Sequence, residues 1–171
     1  ALSGFRDVHR RAPRFWANAF MLGKTHFFRE DYAQAREVWE RLLRGNPNHL
    51  DTAKWLARLY LQRREPARAE GLLERAVASS SEDPELLVLM GKLQRVEGNY
   101  AYAIELFRKA AAFRDKLAEA HLELAELYRE FGLEDRAAAE LGQALSLLGP
   151  ESALFAPLMS TLAEWKKEGK R

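Results

Sequence analysis

The sequence predicts an all-α fold, an α-solenoid of antiparallel helix pairs with about ten helices. Composition is the first ground for this. Ala and Leu supply 27 residues each of the 171, whereas Val, Ile and Thr together supply 9; helices favour the first pair and strands the β-branched types. The second ground is a gapless self-match at an offset of 34 residues. Ala35, Ala69, Ala103 and Ala137 fall in register. Four positions later come Trp39, Leu73, Phe107 and Leu141, then after three more Leu42, Ala76, Ala110 and Ala144. Earlier in each unit Leu22, Leu56, Met90 and Leu124 precede a small residue: Gly23, Ala57, Gly91 and Ala125. A fixed period of this length marks a stacked array in which neighbours bury what one unit leaves open.

The elements follow in order. Residues 1–15 place Ala1, Phe5 and Pro13 where Ala35, Trp39 and Pro47 sit, so they read as the second helix of a truncated preceding repeat in a chain cut from a longer array. The alternative is a solitary packing helix. Four whole units occupy 16–49, 50–83, 84–117 and 118–151. Each is a helical hairpin, with Gly or Ala in the first helix allowing close approach of the second. Asp31, Pro66, Gly98-Asn99 and Gly132 break the helices inside the units, and Pro66 suits a first helical turn. Residues 152–171 form a closing helix or the start of a further repeat. Phe155, Leu158, Met159, Leu162 and Trp165 are spaced to pack on unit four, with Pro157 in the first turn or at a kink.

Several function classes are excluded or left without support. With no Cys there are no disulfides, thiolate metal sites or cysteine nucleophiles, although the compartment stays open, since both cytosolic and exported proteins can lack Cys. No apolar run is long enough to span a membrane. A net charge of +2 gives no argument for nucleic acid. His9, His26, His49 and His121 contain no pair three or four residues apart, so no helical metal pair exists. His26 and His121 fall at core positions, and His49 in a solvated inter-repeat turn. Trp39, Tyr60, Phe107 and Tyr128 are at core spacing. Glu82-Asp83 and Glu134-Asp135 sit where helices start, which capping explains. No cofactor motif or catalytic constellation is present, so the chain reads as a non-enzyme.

These units resemble the tetratricopeptide repeat family, whose pattern within 34 residues is a large residue, Leu, Gly or Ala, Tyr, then Ala, Phe, Ala and Pro. Unit four carries Leu124, Ala125, Tyr128, Gly132, Ala137, Leu141 and Ala144. Unit three carries Leu87, Met90, Gly91, Gly98, Tyr100, Ala103, Phe107 and Ala110; unit two Leu56, Ala57, Tyr60, Ala69, Leu73 and Ala76; unit one Leu22, Gly23, Ala35, Trp39 and Pro47. His26 and Gln94 replace the Tyr. The resemblance implies a right-handed superhelix whose first helices line a concave groove.

Carried over position by position, that groove receives Phe20, Lys24, Phe27 and Phe28 from unit one, Lys54 and Arg58 from unit two, and Lys92 and Arg95 from unit three. Aromatic anchors beside a basic band suit an acidic peptide or partner protein. The residues by which some family members grip chaperone carboxylate tails do not fit here. Unit four carries eight acidic residues against two arginines, which raises self-association through that unit. The resemblance implies a non-catalytic scaffold for protein–protein interaction in a bacterial assembly, secretion or export complex. The alternatives are a regulatory or recruiting segment of a larger enzyme or polysaccharide-export protein, and a groove for anionic polysaccharide or nucleic acid.

Overall fold

The computed structural model describes residues 13–113 and 117–168. Among them are nine α-helices and no strand: α1 Pro13–Phe28, α2 Tyr32–Gly45, α3 Leu50–Gln62, α4 Pro66–Ser79, α5 Pro84–Val96, α6 Tyr100–Ala111, α7 Leu117–Glu130, α8 Glu134–Leu148 and α9 Phe155–Glu168. The helix expected over 1–15 falls mainly on residues outside this set. The chain divides into two compact units, one ending at Ser79 with α1–α4 and one beginning at Ser80 with α5–α9. Within each unit every helix packs on its neighbours in the chain.

The hairpins close on one pair of positions. In α1 and α2 a Cβ on Gly23 would run into the indole of Trp39; in α5 and α6 a Cβ on Gly91 would lie 2.5 Å from the Phe107 ring. The corresponding pairs are Ala57 with Leu73 and Ala125 with Leu141, all buried. The small residue shrinks as its partner grows, so the four hairpins fill similar space with different pairs. Trp39 also donates from Nε1 to the carbonyl of Phe20 at 3.3 Å, which satisfies its buried N–H.

The turn within each hairpin repeats its backbone as well. Glu30, Arg64, Gly98 and Gly132 all have positive φ, at 62°, 58°, 82° and 67°. The next residue's N–H donates five residues back in each case: Asp31 to His26, Glu65 to Tyr60, Asn99 to Gln94 and Leu133 to Tyr128, at 2.8–2.9 Å. This is the Schellman closure, which satisfies orphan carbonyls and needs a left-handed residue. Asp31 and Pro66 mark these breaks in the sequence, but the residues that turn the chain are Glu30 and Arg64.

Helix starts differ. Asp83 caps α5, accepting from the N–H groups of Glu85 and Leu86 at 2.9 and 3.0 Å. His49 caps α3: its Nδ1 accepts from the Thr52 N–H at 3.3 Å, and the Thr52 hydroxyl lies 2.9 Å from the same atom. Its ring centroid is 5.6 Å from that of Phe20. This corrects the solvated turn expected for His49, because Thr52 is fully buried and needs an acceptor on the preceding turn. His121 is partly buried, its Nδ1 2.5 Å from Glu140 Oε2. Leu162 of α9 is buried with Ala125, Leu141 and Leu145, and Phe155, Leu158 and Trp165 pack beside them. Pro157 lies in the first turn of α9, and Met159, expected to pack, is exposed.

Candidate functional site

The first unit gathers aromatic rings on the first helices of its two repeats. Phe27 and Phe28 end α1, and Trp55 lies one turn into α3. The Trp55 ring centroid is 5.4 Å from Phe27 at 81° and 5.7 Å from Phe28 at 70°, the edge-to-face geometry that aligns a positive ring edge with a negative face. Two cations attend the same indole: Lys24 Nζ at 4.8 Å from the centroid and the Arg58 guanidinium at 5.6 Å. Lys24 also lies 5.8 Å from the Phe20 ring. Lys24 and Phe28 are four residues apart in α1, and Trp55 and Arg58 three apart in α3, spacings that put each pair on one helix face.

Exposure separates anchors from supports. Phe28 is 69 % exposed. Phe27 is half-buried and also meets Tyr32 and Trp39 edge-on or tilted at 5.6 and 5.9 Å, so it holds the cluster together. Phe20 is half-buried against His49. Lys54 is only 8 % exposed, with Asp51 Oδ1 at 3.6 Å from its Nζ, and does not stand open beside Lys24. The groove expected from these eight residues missed Trp55, which falls at none of the repeat positions they occupy. Its signal was available: a Trp three residues before Arg58 and 31 after Lys24.

In the second unit the basic residues face the acidic repeat. Lys92 Nζ is 3.0 Å from Glu119 Oε1 and 2.8 Å from Glu123 Oε1. Arg95 reaches Glu123 at 3.2 Å, Glu126 at 3.1 Å and Glu130 at 3.8 Å. Burial works against the charged ammonium of Lys92, but Glu123 and Glu119 outweigh it and the net shift is upward. Arg95 is shifted the same way, burial again being overcome, here by Glu126, Glu123 and Glu130. The acidic charge of α7 is thus engaged inside its own unit. Sequence sums could not show this, because the pairs join residues 27–35 positions apart.

Among the described residues no group of three His, Asp or Glu is placed to hold a metal ion, and no helix is long and apolar enough to cross a membrane. Residues 20–84 match the family model described as tetratricopeptide repeat. That segment, and not the whole chain, carries the family match. Solved structures agree on the fold. A thermophilic tetratricopeptide repeat (TPR) protein of Thermus thermophilus superposes with TM-score 0.74 at 24 % identity, over 90 % of this chain and 82 % of that one. A TPR protein of Parabacteroides merdae gives TM-score 0.76 at 18 % identity, over 98 % and 66 %. Pseudomonas aeruginosa PilF gives 0.71 at 19 % identity, over 90 % and 69 %. No curated protein matches the chain. Tetratricopeptide repeats are in general protein-interaction modules.

Proposed function

We propose that this TPR protein binds an acidic segment of a partner protein on the face of its first unit where Trp55 lies between Lys24 and Arg58. The observation that carries this reading is the exposed Phe28 ring against an indole flanked by two cations. An exposed aromatic beside fixed positive charge is the composition of an interface hot spot, and a carboxylate-rich segment with an aromatic anchor complements it. Lys92 and Arg95 are secondary, because carboxylates of α7 already hold them. A protein segment suits the site better than an anionic polysaccharide, since the two cations gather on one indole instead of spacing out along a charged track.

Fluorescence anisotropy with a library of labelled peptides, acidic and containing one aromatic residue, tests this on the full chain. Lys24→Glu with Arg58→Glu is expected to weaken binding by about tenfold or more, and Phe28→Ala by a similar factor, with the helical circular dichroism unchanged. Equal affinity of wild type and both variants for every acidic peptide rejects the site.

A further inference from the structure

A second basic surface lies on the opposite helices of the same unit, between α2 and α4. It is a cleft of about 620 Å³ floored by Leu43, Leu56 and Leu72 and edged by Arg36, Arg44, Arg68 and Arg75. A further hollow of about 270 Å³ continues it from Leu43 and Leu72 toward Ala76 and Ser79. The arginines follow helical stripes, with Arg36, Glu40 and Arg44 on α2 and Arg68, Leu72 and Arg75 on α4, so all four point to one valley.

The carboxylates in the cleft are already engaged. Tyr60 donates its hydroxyl to Glu40 Oε1 at 2.7 Å. Glu65, next to the cleft, pairs with Arg68 at 3.2 Å and Arg36 at 3.9 Å. The other end is less committed. Arg75 spends its Nε–H on the carbonyl of Gly71 at 2.9 Å, leaving its terminal N–H groups. Arg44 has no carboxylate within ion-pair distance among the described residues.

The second unit is an internal control. Shifting the four arginine positions by two repeats gives Ile104, Ala112, Arg136 and Gln143. Only Arg136 is kept, and it stacks 6.0 Å from the Tyr128 ring as Arg68 stacks 5.7 Å from Tyr60. Stacking on the repeat tyrosine therefore explains Arg68, whereas the hairpin forms without Arg36, Arg44 and Arg75.

We infer that this valley is a second docking surface, for an acidic amphipathic protein segment that sets leucine-like side chains on the floor and carboxylates against Arg44 and Arg75. The apolar floor and the partly buried Glu40 at its centre favour spaced carboxylates over a dense phosphate backbone, which needs no apolar contact. Two surfaces on different helix faces of one unit let the protein hold two segments at once.

The test is anisotropy on the full chain with helical peptides carrying Glu at i and i+4 and Leu at i+3 and i+7, beside their Gln counterparts, polyuridine RNA and inorganic polyphosphate. Arg44→Glu with Arg75→Glu is expected to weaken the Glu peptide by about tenfold or more. Ala112→Glu with Gln143→Glu, at the matching positions of the second unit, and Trp55→Ala, at the first surface, should each change it by less than about twofold. Any of three outcomes overturns the inference: no Glu peptide binds, the Arg44/Arg75 variant binds like wild type, or RNA or polyphosphate binds more tightly than peptide. Loss of this binding only in Trp55→Ala would assign the peptide to the first surface and also overturn it.

Discussion

Gly91 and Phe107 are in contact so close that the hairpin of α5 and α6 has no room for a methyl group on Gly91. The same two repeat positions hold Ala125 and Leu141 in the next hairpin, both buried. Alanine is the better helix former by about 1 kcal/mol, so its absence at residue 91 reflects packing. The clash is with the face of a ring wedged between helices, which has no free rotamer to take.

Gly91→Ala is expected to lower stability by about 1–3 kcal/mol, overpacking outweighing the gain in helix propensity. Phe107→Leu should cost about 1–3 kcal/mol through lost contacts. The double variant recreates the Ala–Leu pair of the fourth repeat and should lose less than the sum of the two. A double-mutant cycle by urea unfolding measures this; strict additivity would show that the two residues do not share one space.

Replacing Glu30 or Arg64 with Gly should stabilise the chain by about 0.5–1 kcal/mol each. Both hold the left-handed conformation that Gly98 and Gly132 hold elsewhere, and a side chain there costs about 1–2 kcal/mol, partly offset by the greater freedom of Gly in the unfolded chain. Thermal unfolding reads the change, and a fall in Tm for both variants would contradict it.

Tyr60 makes the fold sensitive to alkali. Burial first, then the hydrogen bond and charge of Glu40, push its phenol up to about 12 from 10.0. A group with a raised folded pKa stabilises the fold fully below its unfolded pKa and stops doing so as pH passes the folded value. Wild type should therefore lose stability between about pH 10 and 12 more steeply than Tyr60→Phe. Urea midpoints at about pH 8, 10 and 11.5 give the difference; parallel curves would remove the assigned role of Tyr60.

Glu123 carries the ion-pair ladder of the second unit, meeting Lys92 at 2.8 Å and Arg95 at 3.2 Å. Glu123→Gln should destabilise that unit by about 1–3 kcal/mol, because two partly buried cations lose their shared partner. Hydrogen exchange of α5 and α7 locates the effect, and unchanged protection there would show the ladder to be incidental.

His49→Ala should cost about 0.5–2 kcal/mol by uncapping α3, and His49→Asn should recover most of it. Chemical denaturation of both variants checks the order, which would invert if the ring's contact with Phe20 mattered more than the cap.

Much of this fold is legible in the sequence because a 34-residue period repeats packing positions as well as residue types. Ala35, Ala69, Ala103 and Ala137, all buried, could be read without coordinates. The candidate site was harder. Lys24 and Lys92 occupy the same repeat position, yet one lies over an indole and the other between two glutamates. Their fates depend on the neighbouring first helix, Trp55 in one case and Glu119 with Glu123 in the other, and a one-dimensional charge sum does not resolve that offset. The arginine valley was hidden differently, since Arg44 and Arg75 each look like ordinary helix-surface residues until α2 and α4 lie side by side.

The paired positions 23 and 39, 57 and 73, 91 and 107, and 125 and 141 constrain how such a chain can be recombined. Both members of each pair lie within one hairpin, so a splice in the turns between hairpins transfers them together and leaves each of these pairs matched. A splice inside a hairpin, between residue 91 and residue 107 for example, joins the small partner of one repeat to the large partner of another. Alanine would then face a phenyl ring, or glycine a leucine. Modules cut at the inter-hairpin turns keep these pairs intact, whereas those cut within hairpins should assemble poorly despite an unbroken 34-residue period.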